Sequence, residues 1–165
     1  KMKGGEKMMK RILILVSIFC AITAVGCSGS GSKDVKEVDK GQKIVLENLK
    51  DFGIVGSGFK TNLDLSKDDV DKFFKFAKTL VANSKEIDTG ELDALSAGDL
   101  DKFLTIANTS DNQHDFDGLG IVKTTTGKLY VTIANVDAKD GIAYEVNNPK
   151  KYFSQLDNLL KDLFK

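Results

Sequence analysis

Three kinds of hydrophobic pattern succeed and repeat one another along the chain. Ile12 to Val25 is almost unbroken apolar. Val45, Leu46, Leu49 and Phe52 then give a short helical spacing, with a strand at Ile44–Leu46 as the alternative. Phe59, Thr61, Leu63 and Leu65 alternate with Lys60, Asn62 and Asp64, the period of a half-buried strand. Val70, Phe73, Phe74, Ala77, Leu80 and Val81 return to helical spacing and predict a helix over about residues 67–82. Ser66 with Asp69 three residues on offers that helix a capping box. Asp68–Lys72 and Asp71–Lys75 place acid-then-base pairs four apart on its other face. Glu91 to Ala107 reads as a second helical region split at Gly98.

Three alternating runs follow, at Leu119–Thr124, Leu129–Ala134 and Ile142–Val146, separated by turn signals at Thr126-Gly127 and Asp140-Gly141. Short turns between successive strands predict an antiparallel meander. Asn148-Pro149 then starts a last helix, whose apolar stripe is Tyr152, Phe153, Leu156, Leu159, Leu160 and Leu163. The sum is an α+β fold. It is expected as a single domain, an antiparallel sheet of three to four strands with helices packed mainly on one face.

The apolar run at residues 12–25 is too short to cross a hydrocarbon core of about 30 Å, and it follows the basic residues Lys7, Lys10 and Arg11. That is the layout of a secretory leader. It ends in Ala24-Val25-Gly26-Cys27, after which Ser28-Gly29-Ser30-Gly31-Ser32 reads as a flexible tether. On these residues the chain resembles a bacterial lipoprotein precursor, with Ala24 where the commonest lipobox has Leu. The resemblance covers residues 8–27. It implies a diacylglyceryl thioether on Cys27 and cleavage just before it. Two acyl chains give stable anchoring where one does not. Lys3-Gly4-Gly5-Glu6 is compatible with a translated ribosome-binding sequence, so the start is expected at Met8 or Met9. The expected organisation is a leader at 1–26, lipidated Cys27 and tether at 27–40, and the α+β domain at 41–165.

Cutting at Cys27 changes the charge. The whole chain has 24 basic and 24 acidic residues, of which five and one lie in residues 1–26. Residues 27–165 therefore keep 19 and 23, a net charge of −4. The only Arg, all three Met and Cys20 also lie in the leader. The remaining chain has no Cys besides Cys27, which excludes a disulfide, a second thiol nucleophile and a thiolate metal site. Without Arg it has no bidentate clamp for phosphate, and its acidity argues against nucleic acid.

Candidate chemistry is sparse. Gly53-Ile54-Val55-Gly56-Ser57-Gly58 has glycines but no following helix and no Walker Lys-Ser/Thr, so it reads as a connector. Asp111-Asn112-Gln113-His114-Asp115-Phe116-Asp117-Gly118 concentrates oxygen ligands and the only imidazole. Asp111, His114, Asp115 and Asp117 are accordingly the candidate ligands for Ca²⁺, a hard cation. The EF-hand register fails, since Gly118 in its sixth place puts Thr124 where a bidentate Glu belongs. Glu86, Asp88, Glu91, Asp93, Asp99 and Asp101 form an acidic cluster, and Tyr130, Tyr144 and Tyr152 are candidates to line a groove.

No nucleophile–base–orienter set is present. The expectation is a non-catalytic lipoprotein with no resident cofactor. It would be held on the outer side of the cell membrane through Cys27, or on the outer membrane of a two-membrane host. It would bind an envelope protein or a small ligand, and no nucleic acid. The alternative is a Ca²⁺-binding protein or metal-assisted hydrolase using the Asp111–Asp117 loop.

Overall fold

The helix predicted from residue 67 is α1, Lys67–Val81. Its start is fixed by the expected capping box: Asp69 N–H donates to Ser66 Oγ at 3.1 Å, and Ser66 N–H donates to Asp69 Oδ2 at 3.1 Å. Two otherwise unpaired ends of the first turn are thereby satisfied. Its apolar stripe buries Val70, Phe73, Phe74, Phe76, Ala77, Leu80 and Val81. The Phe73 and Phe74 rings meet edge-on, 5.5 Å between centroids. The computed structural model describes residues 34–39, 42–46, 48–110, 116–135 and 141–165.

Nine strands are described: β1 (Asp34–Asp39), β2 (Gln42–Leu46), β3 (Phe52–Gly56), β4 (Lys60–Asn62), β5 (Ser84–Ile87), β6 (Leu100–Asn108), β7 (Phe116–Thr124), β8 (Leu129–Asn135) and β9 (Ile142–Val146). Seven form one sheet in the order β4-β3-β6-β7-β8-β9-β5, and β1 and β2 form a separate antiparallel hairpin. Every pairing in the sheet is antiparallel. The fold is α+β, as expected, but the sheet has seven strands rather than three to four.

Register separates the two faces. Ile54, Ile106, Leu119, Ile133 and Ile142 are successive cross-strand partners, a row of β-branched and Leu side chains across five strands. Leu104, Ile121, Val131 and Tyr144 form the next row on that face. Both rows belong to the core that includes the α1 stripe and Tyr152, Leu156, Leu159 and Leu163 of the C-terminal segment, where α2 spans Phe153–Leu163. The helices thus share one face of the sheet. The other face carries Val55, Thr105, Gly120, Thr132 and Ala143 as cross-strand partners, beside Gly53, Ala107, Gly118 and Ala134. These side chains are small, and a Cβ on Gly120 would stand 2.8 Å from Thr132 Oγ1.

Several expectations are corrected. Residues 100–107 form strand β6, not a helix after Gly98; the apparent helical spacing arises because Leu104, Ile106 and Ala107 are buried on both faces of a sheet. Before it stand only one α-turn at Gly90–Asp93 and a 3₁₀ turn at Ala97–Asp99. Residues 42–46 take the strand alternative, and Leu49–Asp51 is a 3₁₀ turn rather than a helix end. Of the segment Gly53–Gly58 read as a connector, the first four residues belong to β3, which is buried throughout. The alternation at residues 59–65 produces only the three-residue edge strand β4. Strand β5 was not expected from its polar sequence, and tertiary pairing with β9 makes it.

Asn148 does not cap the last helix. It takes φ 49°, and Pro149–Tyr152 forms a 3₁₀ turn ahead of α2. β1 begins at Asp34, inside the stretch read as tether, and the hairpin buries Val38 and Leu46 against the core. The meander itself is as expected, with Gly127 at φ 82° in the β7–β8 turn.

Candidate functional site

Of the five residues singled out for lipidation or metal ligation, four fall outside the described part of the molecule. Cys27, Asp111, His114 and Asp115 all do. Asp117 lies in β7, at the register irregularity between Phe116 and Gly118. Among the described residues, no group of three His, Cys, Asp or Glu side chains is placed to hold a metal ion.

The acidic cluster is spread through the fold, and two of its members, Asp88 and Asp99, accept from the backbone. Asp88 Oδ1 accepts from Gly90 N–H at 2.7 Å, closing the turn before Gly90–Asp93. Asp99 accepts from the Ser96 hydroxyl and the Ser96 N–H, both at 2.7 Å. Those two donors, the hydroxyl foremost, hold the Asp99 carboxyl below its ordinary pKa. Asp101 pairs with Lys123. Glu86 stands opposite Tyr144 in the β5–β9 register. Sequence proximity thus collected residues that the fold sends to different tasks.

The tyrosines do not line a common groove. Tyr130 pairs with Glu145, and Tyr144 pairs with Val131, so the two lie on opposite faces of the sheet. All three tyrosines are buried, with Tyr144 and Tyr152 in the main core. The glycine-rich segment is likewise structural. Ser57 Oγ accepts from Phe103 N–H at 2.8 Å and donates to Phe103 C=O at 3.3 Å, stitching the β3–β4 connection to β6. Gly58 takes φ 75° beside it, a conformation that suits glycine.

Charged side chains cluster at two places. On the helix face, Lys102 pairs with Asp157 of α2, while Lys123 pairs with Asp101 and lies 4.6 Å from the Phe153 ring centroid. Lys102 and Lys123 are direct cross-strand partners. Like charges so placed repel, and the two carboxylates and the ring offset this. On the other face, Glu145 accepts from Lys85 at 3.1 Å and Lys128 at 3.2 Å. The Lys85 bond is the leading cause that lowers the Glu145 pKa.

The groove that sequence reasoning missed lies between edge strand β4 and the end of α2. It is an open cavity of about 330 Å³ lined by Lys60, Thr61, Asn62, Leu163, Phe164 and Lys165. Asn62 Nδ2 donates to the Leu163 carbonyl at 3.0 Å and holds its two walls together. Its charged lining groups are two ammoniums, of which Lys165 pairs with Asp162 at 2.9 Å. Residues more than 100 positions apart build it, so no local motif could have announced it. Compared with family models, with curated proteins and with solved structures, the chain matches none.

Proposed function

We propose that the protein is a lipid-anchored, extracytoplasmic lipoprotein whose α+β domain is a non-catalytic binding module. The observation that carries this reading is the N-terminal order of chemistry: basic residues, the apolar run Ile12–Val25, then Ala24-Val25-Gly26-Cys27 and a Gly/Ser stretch. A diacylated Cys27 would retain the protein at a membrane without a spanning helix. Among the described residues no helix is long and apolar enough to cross one. Of the described carboxylates, Asp88 and Asp99 hold turns and Asp101, Glu145 and Asp157 hold ion pairs.

Cys27→Ala tests the anchor. The expected outcome is an unprocessed precursor, or a processed protein released from the membrane fraction, with loss of incorporated labelled fatty acid. A processed variant that still sediments with membrane would overturn the reading.

A further inference from the structure

We infer that the domain rides close against its membrane with one fixed end inward, rather than standing off on a long stalk. The inference rests on the lipid-anchor reading above. The chemistry of residues 28–40 reads as a tether, yet strand β1 occupies Asp34–Asp39. That strand is not loosely attached. Its hairpin packs against α1, Val38 and Leu46 are buried in the core, and Lys36 pairs with Asp71 of α1.

Only seven chain steps then separate Cys27 from Asp34. Fully extended, seven steps reach about 25 Å. As a Gly/Ser coil they average roughly 15 Å. A domain of this size has a radius of gyration of about 14 Å, and so a diameter of roughly 36 Å. The tether is therefore shorter than the domain is wide, and the Asp34 side cannot turn away from the bilayer.

The chain link places that side. From Leu46, the partner of Asp34, Phe52 at the start of β3 is six residues on, three of them in the compact 3₁₀ turn Leu49–Asp51. Thr109 N–H donates to the Asp51 carbonyl at 2.7 Å, so the start of β3 and the end of β6 lie together. This end of the sheet faces the membrane. The opposite end carries the β7–β8 turn around Gly127 and the β3–β4 turn, where Gly56 pairs with Lys60. The Lys60–Lys165 groove thus opens at the end away from the anchor, where a partner approaches from the aqueous side.

The chain itself supplies the test. Once Cys27 is a thioether, no free thiol remains in residues 27–165, so a single cysteine can be labelled. Lys50→Cys marks the inward end and Thr125→Cys the outward end; both positions are exposed. The lipidated full chain, labelled at either site, is reconstituted into vesicles carrying a headgroup-labelled acceptor lipid. Energy transfer is expected to fall from the Lys50 label to the Thr125 label. A Gly/Ser insertion of about 20 residues after Ser32, which doubles the average reach, is expected to remove that fall. Equal transfer from both sites in protein that floats with the vesicles overturns the inference and leaves the anchor intact. A fall that survives the insertion also overturns it, because the tether would not be its cause. Protein that does not float with the vesicles removes the anchor and the inference together.

Discussion

Gly56→Ala tests how tightly the end of α2 closes on the sheet. Gly56 ends β3 on the helix-covered face, and its φ −129° and ψ 177° suit any L-residue. The obstacle is therefore steric. A Cβ there would stand 2.3 Å from Phe164 Cε2, 2.8 Å from Phe164 Cζ and 3.0 Å from Leu160 Cδ2. Carbon–carbon contacts settle near 3.5–4.0 Å, so the ring must retreat by more than about 1 Å. Overpacking of this kind costs about 1–3 kcal/mol. If the ring leaves instead, part of the roughly 1.5–3 kcal/mol from burying a Phe is lost. Replacing a strand glycine by alanine returns about 0.5–1 kcal/mol through the unfolded chain. The expected net loss is about 1–2 kcal/mol, a fall of roughly 4–8 °C in Tm for a domain of this size. Thermal and urea melts of wild type, Gly56→Ala, Phe164→Ala and the double variant resolve it. With Phe164 truncated only Leu160 Cδ2, a flexible methyl at 3.0 Å, must give slightly, so Gly56→Ala should become close to neutral, a coupling of about 1–2 kcal/mol between the two positions. If Gly56→Ala costs as much in the Phe164→Ala background, the contact is not the cause and the reasoning fails.

Phe73→Ala should cost about 3–5 kcal/mol, because the ring is fully buried beneath α1, whereas Lys75→Ala on the exposed side of the same helix should stay within about 0.5 kcal/mol; urea midpoints compare them directly. Glu145 has a lowered folded pKa, chiefly through its bond from Lys85, so its contribution is fully present above the ordinary carboxylate pKa and is lost as pH falls through the lowered one. The stability gap between wild type and Glu145→Gln should therefore be widest near neutral pH and close in acid. A gap that does not change between about pH 7 and pH 3 would falsify that assignment.

Local chemistry carries α1 and the meander. Ser66 and Asp69 cap the helix from within four residues, and Val70, Phe73, Ala77 and Leu80 meet one core face, so their period survives in the sequence. The β7–β8 turn needs only Thr126-Gly127. Tertiary structure decided the rest. Phe52–Gly56 and Leu104–Ala107 lie in the interior of a seven-stranded sheet, where successive side chains are buried on both faces, which erases the alternation that marks a strand. Ser84–Ile87 has little apolar pattern, and pairing with β9 supplies its order. The groove depends on Asn62 meeting Leu163 across a hundred residues, and the order of Asp34–Asp39 on finding α1 to pack against. Such contacts are set by chain positions far apart, and no window along the sequence contains both partners.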